Sequence, residues 1–153
     1  MSIENATAYL AEFGLADRIR VLDTSSATVE LAAAALGTQP ERIAKSLAFR
    51  AGDKVILVVA AGDARTDNAK YKQTFGCKAS MLRIDEVEAA VGHAVGGVCP
   101  FGINPGVEVY LDESLRRFET VFPACGSSNS AIELTLAELE QTARPLKWVD
   151  VCK

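Results

Sequence analysis

Residues 42–50 read Arg-Ile-Ala-Lys-Ser-Leu-Ala-Phe-Arg, with apolar side chains at 43, 47 and 49. A period of two predicts a strand. It places Lys45 on the face that carries Ile43, Leu47 and Phe49. A lysine there either meets an anion in a pocket or packs its stem and carries the ammonium out to water. Ala-Gly-Asp-Lys at 51–54 is turn chemistry, and Val-Ile-Leu-Val-Val-Ala-Ala at 55–61 is the continuous apolar run of a strand covered on both faces. The two strands make a hairpin with Lys45 on its first arm.

The same reading extends along the chain. Residues 2–13 form an amphipathic helix stopped by Gly14, and 18–22 a short strand. Ser25 or Ser26 caps a helix over 29–36 that Gly37 closes. Asp67 caps a helix over 68–75 ended by Gly76, and Asp85 caps another that runs to Val91 before Gly92. Four glycines and two prolines make 96–106 a loop. Strands follow at 107–111, 119–122 and 131–134, then a helix at 136–142 and a last strand at 147–151. Hairpins and strands mixed irregularly with helices predict an α+β fold: a mixed, strongly curved, barrel-like sheet with helices packed around it.

Composition narrows the class. The chain has 153 residues, enough for one domain with a substantial core spanning 1–153. No apolar run approaches a bilayer span, and the N-terminus has no basic region followed by an apolar stretch, so a cytoplasmic protein is expected. Cys77, Cys99, Cys125 and Cys152 show no C-x-x-C spacing and accompany a single histidine, His93. Free, mostly buried thiols are expected rather than zinc ligands or disulfides. Net charge is −4, yet residues 41–84 hold nine bases and four acids. That locally basic middle could receive a polyanion at one place.

Three segments offer chemistry. The loop Gly96-Gly97-Val98-Cys99-Pro100-Phe101-Gly102 lets backbone approach a ligand, and its N–H groups could cradle an anion or a polarised carbonyl. It is neither a Walker loop nor G-x-G-x-x-G. Gly126-Ser127-Ser128-Asn129-Ser130 could hydrogen-bond a sugar or an amino acid, but it is not a nucleophile elbow. Asp63 and Asp67 around Arg65 are explained by a turn and a helix cap.

The order of these features resembles the YbaK/ProX family of aminoacyl-tRNA deacylases, related to the editing domain of bacterial prolyl-tRNA synthetases. The resemblance runs from about residue 20 to 140. It rests on Lys45 in Ile-Ala-Lys-Ser-Leu, then Gly62-Asp63, the loop from Gly96 to Gly102, Val109 to Leu115, and Ala124-Cys125-Gly126. It implies a curved α+β sheet, no metal or other cofactor, and a trans-editing hydrolase that acts on tRNA mischarged with a small amino acid such as Ala, Ser, Cys or Thr. Lys45 would hold the phosphate and ribose of the terminal adenosine, and Gly96 and Gly97 of the G-x-x-x-P loop would position the ester. Ser46, Val98, Cys99, Pro100, Phe101, Gly126, Ser127 and Ser128 would contact substrate. Ser46 stands where alanyl-specific members often carry asparagine. The partner would be a tRNA acceptor end gripped by the basic stretch 42–83, with a synthetase as a further candidate partner and no membrane. Two other functions stay open: a non-catalytic tRNA- or synthetase-binding module, and a hydrolase of another small ester.

Overall fold

The computed structural model describes residues 2–153. Its centre is a mixed six-stranded sheet curled into a half-barrel, with strand order β7-β5-β2-β3-β4-β8. The hairpin β2 (Ile43–Ala51) and β3 (Lys54–Ala61) lies in the middle, in register from Ala44↔Ala61 to Ala51↔Lys54. β3 is covered on both faces, as its unbroken apolar run requires: Ile56 through Ala61 are at most 1% exposed. β4 (Glu108–Asp112) lies parallel to β3, and β8 (Lys147–Val149) lies parallel to β4. On the other side β5 (Thr120–Pro123) runs parallel to β2 but pairs only at Ile43 and Ala44, and β7 (Leu134–Thr135) is antiparallel to β5. A separate ribbon joins β1 (Arg20–Val21) to β6 (Ser130–Ala131).

Five helices cover the sheet: α1 (Ser2–Ala11), α2 (Val29–Leu36), α3 (Asn68–Phe75), α4 (Ile84–Val91) and α5 (Leu136–Ala143). Each buries a short apolar stripe, such as Ala6 and Leu10 on α1, Val87 and Val91 on α4, or Leu139 and Ala143 on α5. None of the described helices is long and apolar enough to cross a membrane.

Several expected boundaries move. α1 ends at Ala11, and a turn carries the chain to Gly14. Thr28, not Ser25 or Ser26, caps α2: its hydroxyl accepts from Leu31 N–H at 3.2 Å. Ser26 instead donates to Ser128 O. α4 starts before Asp85, with Arg83 at the cap position, where Glu86 reaches back to accept from Arg83 N–H at 3.0 Å. The expected strand at 131–134 splits, because Ile132 and Glu133 carry the chain from the small ribbon to the main sheet. Cys99, Cys125 and Cys152 are buried free thiols, and Cys77 is half-buried.

Candidate active site

A cleft of about 300 Å³ opens beside β2. Its walls come from four distant stretches: the loop before α2 (Ser26, Ala27, Thr28), β2 from Ile43 to Ala48, residues between Met81 and Val98, and Phe122 to Ala131 around β5 and β6. Among the described residues Lys45 is its one charged lining residue, and no aspartate, glutamate or histidine lines it. Most of the wall is aliphatic. Met81, Ile84 and Val95 stand at 59, 79 and 54% exposure and still line the cleft, which gives it an apolar rim.

The half-buried Lys45 ammonium is held by backbone. Nζ donates to Gly62 O at 3.3 Å and to Ala64 O. These carbonyls belong to the turn that ends β3, and that turn is tied down on its far side. Ala61 N–H donates to Ser114 Oγ at 3.1 Å. Arg117 Nη1 and Nη2 donate to the two carboxylate oxygens of Asp63 at 3.0 and 2.5 Å. Arg65 exchanges two backbone hydrogen bonds with Lys153. Burial pulls the Lys45 pKa below the ordinary lysine value, with nearby Cys152 and Asp63 opposing it. Arg117's hydrogen bonds hold the Asp63 carboxyl below the usual range.

Of the other expected contact residues, Ser46, Gly96 and Val98 line the cleft with Lys45. Ser46 Oγ is buried and has no hydrogen-bond partner. The remainder lie behind the wall. Gly97 is pressed against the next loop: a Cβ there would sit 2.6 Å from Gly126 C and Ser127 N. Its own N–H donates to Ala94 O, and its carbonyl accepts from Gly126 N–H at 3.1 Å. Gly126 is packed in turn against the start of α1, so the glycines here serve close loop contact. Cys99, Pro100 and Phe101 turn inward and are buried. Phe101 lies beside Tyr9 of α1, with ring centroids 6.4 Å apart, and its carbonyl accepts from His93 Nε2 at 2.6 Å. Burial pushes the Cys99 thiol up to about 12, which leaves no thiolate near neutrality. Ser127 Oγ meets Asn129 and Ser130, while exposed Ser128 accepts the Ser26 bonds through its carbonyl.

Lining residues not foreseen from sequence are Ser26, Ala27 and Thr28, the rim residues Met81, Ile84 and Val95, and the buried Ser130. The one local signal for the rim is an aliphatic side chain placed where the neighbours are turn-forming or charged, as at Ile84 between Arg83 and Asp85.

The caged lysine and the apolar cleft form a candidate ligand site on a curled α+β scaffold, and comparison with other proteins gives that scaffold its family. The aminoacyl-tRNA editing domain matches over residues 23–142, and the chain belongs to that family. It is 54% identical over its full length to the uncharacterized protein YwhH of Bacillus subtilis (strain 168), covering 98% of that protein. It is 29% identical over 102 residues to a proline–tRNA ligase of Geobacillus sp. (strain WCH70), covering 66% of this chain and 18% of the ligase. Among solved structures, a candidate trans-editing enzyme for prolyl tRNA synthetase superposes with a TM-score of 0.89 at 28% identity, covering 99% of this chain and 97% of that one.

Proposed function

We propose that this protein is a trans-editing deacylase that hydrolyses the ester of tRNA mischarged with a small amino acid, and that it works in the cytoplasm on the acceptor end of the tRNA. The observation that carries the reading is Lys45, the one charged residue among the described residues lining an apolar cleft, its ammonium held by two carbonyls and no carboxylate. A cation with no paired anion is free to take a phosphate. The family membership and the trans-editing neighbour support the same reading.

In this reading Lys45 fixes the terminal phosphate and ribose. The ester is already activated, so positioning and electrostatics carry most of the rate. Water attacks the carbonyl carbon, and the bond from that carbon to the ribose oxygen breaks. The ribose hydroxyl leaves with one proton, and the amino acid leaves as its carboxylate with the other proton going to solvent. Gly97 N–H is already used within its turn, so Gly96 and Val98 are the loop residues that meet the substrate. Ser46 Oγ, buried and unpartnered beside Lys45, is a further contact. Cys99 takes no part in bond-making. A synthetase that hands over mischarged tRNA is the proposed protein partner.

The experiment is a deacylation screen over tRNAs charged with Ala, Ser, Cys and Thr. Catalytic turnover of at least one, competed by uncharged tRNA, is expected. Binding without turnover would favour a non-catalytic module, and turnover blind to uncharged tRNA would favour another ester.

A further inference from the structure

The cleft follows an interruption in a hydrogen-bond ladder. One edge of β2 is covered by β3 from Ala44 to Ala51. The other edge is covered only at its ends. β5 pairs with Ile43 and Ala44. Further on, Leu82 N–H donates to Ala48 O at 3.0 Å and Arg50 N–H donates to Ser80 O at 2.8 Å. These last two bonds set the phase: the even-numbered residues of β2 turn N–H and C=O away from β3. Between the two covered stretches, the N–H and C=O of Ser46 and the N–H of Ala48 find no hydrogen-bond partner among the described residues. The gap lies in the cleft, whose lining includes Ala44 through Ala48, Ala124 at one end of the gap and Leu82 at the other.

Unpaired backbone groups in an apolar cleft are costly, and a ligand with a donor and an acceptor at peptide spacing satisfies them as an added strand would. We propose that the gap receives the aminoacyl group as a one-residue β-bridge opposite Ser46. The α-amino group donates to Ser46 C=O, and the ester carbonyl accepts from Ser46 N–H. This rests on the deacylase reading and narrows its substrate class to L-aminoacyl esters read through the main chain. Two features of the cleft agree with it. No carboxylate is present to hold the amine, and a backbone carbonyl accepts from it in either protonation state. A residue directly opposite Ser46 puts its side chain on the same face as those of Ala44, Ser46 and Ala48, three residues that line the cleft. Inverting its configuration sends the side chain away from that space.

The test takes the tRNA that the wild-type protein hydrolyses best among the Ala, Ser, Cys and Thr esters. It is charged with the L-amino acid, with the D-enantiomer, and with the same acyl group lacking the amine. The bridge predicts kcat/KM at least tenfold lower for each of the last two. Ser46→Pro removes an N–H that the β3 ladder does not use, a position where an edge strand tolerates proline. It should slow the L-ester at least tenfold with an unchanged circular-dichroism spectrum. If that variant fails to fold, the ester comparison decides alone. An equal rate for the enantiomer or for the deaminated ester overturns the bridge and leaves the deacylase reading standing. Hydrolysis of none of the L-esters overturns both.

Discussion

Lys45 is held where a cation is least comfortable, half-buried with carbonyls for company, and its lowered pKa records that burial. If the charged form anchors phosphate, activity must fall as pH rises through the lowered pKa. The enzymatic rate above background hydrolysis should therefore begin to decline below pH ~10.4, the free-lysine value. A profile flat through pH 10.4 would contradict the anchoring role. The residue was visible in the sequence because a charged side chain broke an apolar alternation. Its cage was not, because Gly62 and Ala64 act through carbonyl oxygens, which every residue has. Cys99 shows the opposite error. The family resemblance implies that it faces ligand, whereas it is fully buried with its thiol 3.8 Å from Phe101 O. Cys99→Ser should keep kcat within about threefold, at a stability cost of roughly 1–3 kcal/mol for a buried hydroxyl. A trapped thioester in the wild-type protein would overturn that assignment.

At the scale of elements, the turn after β3 holds the Lys45 ammonium, and the loop 96–102 gives Gly96 and Val98 to the cleft wall. Arg117 touches no cleft residue directly, yet its paired bonds to Asp63 brace the turn that holds Lys45. Both side chains are more than a third exposed, so the pair adds little to stability. Arg117→Ala should lower kcat by roughly three- to tenfold through misplacement of the ammonium, with KM and the melting temperature nearly unchanged. An unaltered kcat would show that the turn holds without it. On the other side, Gly97→Ala drives a Cβ into the backbone of Gly126 and Ser127. A loss of about 1–3 kcal/mol in denaturant unfolding is expected, as for other overpacked sites. His93 braces the same loop from just past the end of α4: Nε2 donates to Phe101 O, Nδ1 has no hydrogen-bond partner among the described residues, and burial lowers its pKa. The unfolded chain then takes up the proton first, so stability is complete above pH ~6.5 and falls as pH drops below it. His93→Gln should flatten that acid limb in a melting-temperature profile. The helices themselves were legible, since Gly37, Gly76 and Gly92 stop them as expected. The caps of α2 and α4 slipped because the tertiary bond of Ser26 to Ser128 takes that serine away from α2, and the local bond of Glu86 to Arg83 N–H sets the start of α4.

Across the whole molecule, the hairpin, the curved mixed sheet and the family were within reach of the sequence, because period, turns and motif order are local signals. The cleft was less so, because its walls are gathered from four stretches that only folding brings together. Charge also reads differently once folded. Of the nine bases in the basic middle, Arg42, Arg50, Lys54, Lys70 and Arg83 pair with Glu133, Glu86, Glu108, Asp150 and Asp85. Lys45 is caged, and among the described residues Arg65, Lys72 and Lys78 have no acidic partner within salt-bridge distance. On the proposed reading, that leaves about four cations of the stretch 42–83 without an acidic partner to meet tRNA. The affinity for tRNA should fall with salt at a log–log slope of roughly −3, as for about four phosphate contacts. A slope near −8 would mean a far wider footprint. The central claim remains that one caged ammonium makes this cleft a deacylase. It is tested most directly by the single-turnover rate of Lys45→Ala on the aminoacyl-tRNA that the wild-type protein hydrolyses best. The account predicts a fall of about a hundredfold or more with an unchanged circular-dichroism spectrum, and a rate within threefold of wild type would contradict it.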